Sequence, residues 1–356
     1  MSRNFSKNRI EKKNRIEKKI GKRMALRILL LSIAVAIVAC NRDQDATPVR
    51  AQTQPAAEAP SLPTLSLPAD SGPPPAFDSA RAMQYVKEMV ALGPRPLGSA
   101  NHKKVEAFIT SQLKGDAVED DIFTADTPEG KFPVRNIVAK FPGTRDGIIV
   151  IASHYDTNYP LRNTSYIGAN DGASSSALLL EIANQLRGKK RDGYSVWLVW
   201  DDAEEAMKPD TEIPFEKDSL YGIRHLAEKW QADGTLKKIK AFLLADMIGD
   251  ADLNIDRDEN STPWLEAVVY QAASRLGYQS HFFARDSQVT DDHIPFMQRG
   301  VACADLIDFD YGYNNVFWHT PQDTVDKLSP KSLDITGSTV LETVGILDKM
   351  NPLPPK

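Results

Sequence analysis

The stretch Ser195–Val196–Trp197–Leu198–Val199–Trp200–Asp201–Asp202–Ala203–Glu204–Glu205 passes from apolar to acidic without a turn former between the two halves. Val196 to Trp200 are β-branched, aliphatic or aromatic and predict a short buried strand. Four acids fall in the five residues that follow. An isolated acidic run usually faces water, because burying a carboxylate is costly. In an open α/β sheet, however, ligands bind in the crevice beyond the carboxyl ends of the strands. A Glu pair placed there can divide two tasks, one side chain binding a metal and the other moving a proton.

The same pattern recurs on both sides of this stretch. Gly147 to Ser153 is a continuous apolar run, as expected of a strand buried on both faces, and it ends in His154–Tyr155–Asp156. Ala241 to Ala245 ends in Asp246, and Val301 to Ile307 is a fourth strand, with His319 one loop beyond it. Cys303, inside that strand, reads as a small core residue. Helical patterns alternate with these strands: Ala173–Leu186, a helix capped by Ser219, one opened by Thr262–Pro263, a short one near Pro295, and a last one opened by Ser329–Pro330. Before them stand two helices, Ala80–Leu92 and one capped by Ser99, and two strands, Val118–Phe123 and Val134–Phe141. Strands alternating with helices predict a single-domain α/β/α sandwich, with a central mixed, mostly parallel sheet, over residues 78–351. Residues 352–356 form a tail. The strand ends of such a sheet gather on one edge, which brings His154, Glu204, Glu205, Asp246 and His319 together. Asp171, at the start of a helix, reads alone as an N-cap. Nitrogen and oxygen donors collected in this way suit Zn²⁺.

Charge is unevenly spread. The formal net charge is −5, yet residues 1–39 hold 11 of the 43 Lys and Arg and 2 of the 48 Asp and Glu. The remainder has 32 basic against 46 acidic residues, a net of −14. An acidic body argues against nucleic acid as a partner, since phosphate binding needs a basic face. Two cysteines, Cys40 and Cys303, in unrelated contexts make no disulfide framework. Residues 2–23 are basic and polar, and Ile28–Val38 is apolar but shorter than the ~20 residues a membrane-spanning helix needs. Length and flank predict a signal segment over 1–39. Its end, Ile37–Val38–Ala39–Cys40, resembles a bacterial lipobox, which implies cleavage before Cys40, lipidation of its thiol and attachment to a bilayer in the cell envelope. Asn41 after the Cys points, by analogy, to the periplasmic face of the outer membrane. Residues 40–77, rich in Pro, Ala, Ser and Thr, predict a disordered tether.

His154–Tyr155–Asp156, Asn170–Asp171, Glu204–Glu205, Asp246 and His319 together resemble the secreted zinc aminopeptidases and their relatives, the zinc-dependent glutaminyl-peptide cyclotransferases. The resemblance runs from about Ala80 to Met350. Asp218–Ser219–Leu220–Tyr221–Gly222–Ile223–Arg224–His225–Leu226–Ala227, Asp291–Asp292–His293–Ile294–Pro295–Phe296 and Val316–Phe317–Trp318–His319–Thr320 are closer to the cyclotransferases. That resemblance implies one zinc held by Asp171, Glu205 and His319, with Glu204 as general acid/base. It also implies Asp246 and Asp291 as a hydrogen-bonding acid pair, and Trp318 in the substrate pocket. The substrate implied is a peptide or protein N-terminus and the product a pyroglutamyl end; the chain is expected to be a monomer. The aminopeptidase alternative needs two zinc ions, with His154 and Asp246 on the second and Asp171 bridging. A third possibility is a lipid-anchored binding protein of the same fold without catalysis. The cyclotransferases of animals place a Trp soon after the Glu pair, where this chain has Ala206–Met207–Lys208–Pro209–Asp210, and another pocket aromatic where it has Asn314 or Asn315. Asn170–Asp171–Gly172–Ala173–Ser174 is closer to the peptidases. His102, His225 and His281 show no partner pattern and read as surface or helix-face residues, while His293 beside Asp291 and Asp292 reads as orienting their loop.

Overall fold

The apolar runs become strands of one central sheet in a computed structural model that describes residues 60–68 and 72–354. Eight strands are present among the described residues: β1 (Ala117–Thr127), β2 (Gly130–Phe141), β3 (Arg145–His154), β4 (Tyr194–Asp201), β5 (Ile239–Asp246), β6 (Ile255–Asp258), β7 (Phe282–Ser287) and β8 (Cys303–Ile307). Six of them form the main sheet in the order β1-β2-β4-β3-β5-β8. The β1–β2 and β2–β4 pairs are antiparallel, and β3 pairs in parallel with β4 and β5, as β5 does with β8. The sheet is therefore mixed, and its chemistry-bearing half is all parallel. Seven helices are described: α1 (Ser79–Ala91), α2 (Ala100–Gln112), α3 (Ala173–Leu186), α4 (Tyr221–Ala232), α5 (Pro263–Leu276), α6 (Ile294–Met297) and α7 (Pro330–Lys349).

Alternation along each strand divides the core between the two faces of the sheet. Ile149, Ile151, Leu198, Trp200, Leu243 and Leu306 point to one face, where α1, α3, α5 and α7 pack. Val150, Ala152, Val199, Phe242, Leu244 and Cys303 point to the other, against Ile223, Leu226 and Trp230 of α4 and Phe296 of α6. This is the expected α/β/α arrangement, with Cys303 in the core as read from its neighbours.

Helix starts follow their caps. Ser99 accepts from His102 N at 3.0 Å and Ser329 from Lys331 N at 3.1 Å, as expected. Ser219 does not cap α4. Leu220 stands there in the left-handed region (φ 57°), and the Ser219 hydroxyl donates to Phe215 O instead. The reason is local: Leu220 N and Tyr221 N donate to Glu204 O and Ala203 O, which ties the start of α4 to the acidic turn. The small parallel β6–β7 sheet is a further departure. Ile255–Asp256–Arg257–Asp258 is short and mostly charged, so it carries no period-two apolar signal.

The expected tether requires a correction. Among its described residues, Leu62, Leu65, Leu67 and Phe77 are partly buried against the core. Arg275 donates to Pro68 O, and Phe77 sits where a side chain on Gly337 of α7 would otherwise stand. Residues 60–68 and 72–77 therefore lie against the domain, and the sequence does not show it because their leucines recur among prolines without the helical or strand period that marks burial. The expected signal segment over 1–39 and the lipidation site Cys40 lie outside the described residues. Among the described residues no helix is long and apolar enough to cross a membrane.

Candidate active site

Parallel pairing puts the ends of β3, β4 and β5 side by side: His154 is in register with Asp201, and Asp246 with Ile307 of β8. Beyond these ends the chain turns sharply. Ala203, Met247 and His319 all have positive φ, at 57°, 50° and 50°. Non-glycine residues in that region are uncommon and cluster at functional sites. The turn after β4 is fixed by Asp156, which accepts from Glu204 N and Glu205 N at 3.3 Å each. The loop from Tyr155 to Asp171 is folded around Arg95, which is fully buried. Its guanidinium donates to the carbonyls of Tyr155, Ile167, Gly168 and Asp171 at 2.6–2.9 Å.

Two donor sets result. Asp171, Glu205 and His319 each bring a ligand atom within 4.8 Å of the others, and so do His154, Asp171 and Asp246. Asp171 belongs to both. Its Oδ1 is 3.1 Å from His154 Nε2, and its Oδ2 is 3.3 Å from His319 Nε2. Asp171 does not cap α3; Gly172 occupies that position, and Asp171 N is itself held by Asp323 Oδ2 at 3.2 Å. Its side chain accepts from the Tyr166 hydroxyl at 2.6 Å. Glu205 Oε2 lies 3.3 Å from His319 Nε2 and accepts from Asn158 Nδ2 at 2.8 Å. The other Glu205 oxygen, Oε1, is buried without a hydrogen-bond partner among the described residues. Glu204 belongs to neither set; its Oε2 lies 3.8 Å from His154 Nδ1.

Electrostatics mark the same place. Burial works against a charged His319, yet the Glu205 and Asp171 carboxylates raise it to about 10. His154 is likewise raised against burial, chiefly by Asp246. Burial works to raise Asp171, but hydrogen bonds from both imidazoles hold it well below the usual carboxylate range. Carboxylates packed around two buried imidazoles form a site with surplus negative charge, which a bound cation neutralises. Buried nitrogen and oxygen donors with an orphaned carboxylate oxygen fit a zinc ion. Burial, reinforced by Glu205, Asp291 and Asp156, drives Glu204 well above the usual range. Burial and Asp246 do the same to Asp291.

A cavity of about 610 Å³ opens over these groups, lined by Asp171, Glu204, Glu205, Asp246, Asp291, Trp318 and His319. The structure thus brings together every site residue expected within the domain. Trp318 stacks on His319 with ring centroids 4.1 Å apart and meets Phe309 edge-on at 5.0 Å. Phe309 and Phe215 also line the cavity, so it has aromatic walls although Ala206–Asp210, Asn314 and Asn315 supply none. Sequence reasoning does not find these two, nor Arg95, Asn158 and Tyr166. No local pattern marks them, whether the partner is five residues away, as Asp171 is from Tyr166, or 47 and 76 away, as for Asn158 with Glu205 and Arg95 with Asp171. His102 corrects another reading. It is buried, 2.6 Å from Asp202 Oδ1 and 3.1 Å from Glu106 Oε1, the first a contact made 100 residues away in the chain. His225 and His281 are partnered too, by Asp121 Oδ2 at 2.9 Å and Leu253 O at 3.0 Å.

A family model for peptidase family M28 matches residues 136–344. A glutaminyl-peptide cyclotransferase of Drosophila melanogaster is 31% identical over 268 residues, covering 68% of this chain and 73% of that protein. Among solved structures, an Acidobacteriales bacterium glutaminyl cyclase is 48% identical with a TM-score of 0.75, covering 80% of this chain and 99% of that one. A Zn-dependent exopeptidase from Parabacteroides distasonis is 26% identical with a TM-score of 0.69, covering 76% and 99%. The chain belongs to peptidase family M28 and, within it, to the group that contains the glutaminyl-peptide cyclotransferases.

Proposed function

We propose that this protein is a zinc-dependent glutaminyl-peptide cyclotransferase, which converts the N-terminal glutamine of peptides and proteins to pyroglutamate and releases ammonia. The observation that carries the reading is the position of Glu204. It is a buried carboxylate at the cavity wall beside Asp171, Glu205 and His319 and outside the donor set they form, and burial raises its affinity for a proton, which suits it to take one from an amine. The similarity to a bacterial glutaminyl cyclase supports it. Asp171, Glu205 and His319 would hold the zinc, which when bound supplies Lewis acidity toward the side-chain amide oxygen of the substrate. Glu204 takes a proton from the α-amine as its nitrogen bonds to the amide carbon. It then delivers that proton to the amide nitrogen as the carbon–nitrogen bond breaks and ammonia leaves. The acidic floor formed with Asp246 and Asp291 orients a free amine, and Trp318, Phe309 and Phe215 enclose the first side chain.

One observation favours a second reading, a di-zinc aminopeptidase: the two oxygens of Asp171 face the two donor sets separately. One assay decides between them. The purified protein is given a Gln-initiated peptide and Leu-p-nitroanilide, and its zinc is counted. Ammonia release with about one zinc per chain is expected; nitroaniline release with about two would make the protein an aminopeptidase.

We also propose that the chain acts as a monomer anchored through an acylated Cys40 at the periplasmic face of the outer membrane. Metabolic labelling with a fatty-acid probe is expected to mark the wild type and not Cys40→Ala, and the variant should move from the membrane pellet to the soluble fraction. A wild type without label sinks the anchor.

A further inference from the structure

Three consecutive residues in the loop before α6 turn toward three different parts of the molecule. Asp291 lines the cavity, and its Oδ1 accepts from Asp292 N at 2.6 Å. His293 is fully buried, with Nε2 3.1 Å from Asp258 Oδ2 at the end of β6 and Nδ1 3.6 Å from Asp305 Oδ2 on β8. Asp292, between them, is also fully buried, and its carboxyl meets that of Asp201, the last residue of β4. Among the described residues no other side chain and no backbone N–H donates to either oxygen of Asp201 or of Asp292. The charged groups around the pair are His154, Asp156, Asp202, Glu204 and Asp291, and none donates to it.

Two carboxyls that share a buried space without a donor cannot both be ionised. A single proton carried by one of them and accepted by the other satisfies both and makes a short charge-assisted bond. Burial raises both groups, which agrees with a retained proton. The placement gives this bond a purpose. Asp201 is three residues before Glu204, and Asp292 is the residue after Asp291. The two acids of the cavity therefore come from separate segments of chain that touch, behind the cavity wall, through this carboxyl pair.

We propose that Asp292 is a positioning residue for the reaction: by sharing a proton with Asp201, it clamps the loop that carries Asp291 to the strand end that carries Glu204. His293 holds the same loop from the β6 and β8 side. The role of the clamp in turnover rests on the cyclotransferase reading; the clamp itself does not.

The test compares wild type with Asp292→Ala, Asp292→Asn and Asp201→Asn. It measures hydrogen exchange across residues 288–297, zinc content, and kcat and KM on a Gln-initiated peptide. In Asp292→Ala the loop amides should exchange at least ~10-fold faster, and kcat should fall ~10² with KM changed less than ~3-fold and zinc retained, because a misplacement of about 1 Å is worth that much. Asp292→Asn offers an amide N–H in place of the shared proton and should restore protection and most of kcat. Wild-type exchange and kcat in Asp292→Ala would overturn the proposal. So would an Asn variant as impaired as the Ala one, since loss of volume would then explain both. If Asp292→Ala does not fold, Asp201→Asn decides: it should match Asp292→Asn, and fast exchange in it would refute the clamp. A wild type that makes no pyroglutamate, with exchange responding as described, refutes the cyclotransferase reading and leaves the clamp standing.

Discussion

Glu204→Gln will lose about 10²–10⁴ of kcat, the usual contribution of a general acid/base, while its zinc content and KM stay close to wild type. Three features argue for this separation. Glu205, not Glu204, reaches a donor set, with Oε2 3.3 Å from His319 Nε2. Glu204 is held by its backbone, through Asp156, so that the amide of the variant keeps the same place. Gln has the shape of Glu and cannot carry the proton. Glu205→Gln should behave in the opposite way, losing metal first. Metal analysis of the two variants alongside single-turnover ammonia release checks both statements. Zinc lost from Glu204→Gln and kept by Glu205→Gln would reverse the roles of the pair.

Stripping the metal should destabilise the whole domain, and more so at higher pH. A ligand present at 1,000 times its dissociation constant adds about 4 kcal/mol to the native state, which for a domain of this size is on the order of 10 °C in the unfolding midpoint. The pH dependence of the stripped protein follows from its site. His319 is raised to about 10 in the fold, against burial, by Glu205 and Asp171. A histidine of ordinary pKa about 6.5 that is raised on folding stabilises fully below that value, and its contribution disappears as pH rises toward 10. Glu204 and Asp291 are raised as well, both by burial first. The folded form then binds more protons than the unfolded one, so they too favour the native state less as pH rises. Both sets act in the same direction. Calorimetry on chelated protein should give a midpoint that falls from pH 6.5 to 9, and added zinc should restore it and flatten the slope. A stripped protein with the midpoint of the loaded one would mean that these donors hold no cation.

Most of the architecture is legible in the sequence, for a simple reason. A strand buried on both faces must be apolar throughout, so Gly147–Ser153, Val196–Trp200 and Ala241–Ala245 announce themselves. A polar residue that ends such a run lies at the sheet edge, so His154, Glu204, Glu205 and Asp246 group together from chain order alone. Asp201 and Asp202 belong to an acidic run of the kind that usually faces water. Both are buried instead, Asp202 against His102 and Asp201 against Asp292. The partner of each lies far away in the chain, and no local pattern records such a pairing.

The segment ahead of Asp78 makes the same point from the other side. Its composition is that of a linker, yet part of it packs on the domain, because the receiving surface is built by helices far along the chain. The cavity walls follow suit: Phe215 and Phe309 reach it from loops whose sequence gives no sign of it.

Two kinds of information are thus separable here. The sequence by itself determined the alternation of strands and helices and the gathering of His154, Glu204, Glu205 and Asp246 at the strand ends, because burial and periodicity act locally and leave a local trace, whereas Asp171 joined the candidate donor set only through the resemblance to the zinc aminopeptidases and cyclotransferases. Only the tertiary structure decided that Asp171 spans both donor sets, that Arg95 folds the Tyr155–Asp171 loop, and that Asp201 meets Asp292. These depend on distances between segments far apart in the chain, which packing of the finished domain sets.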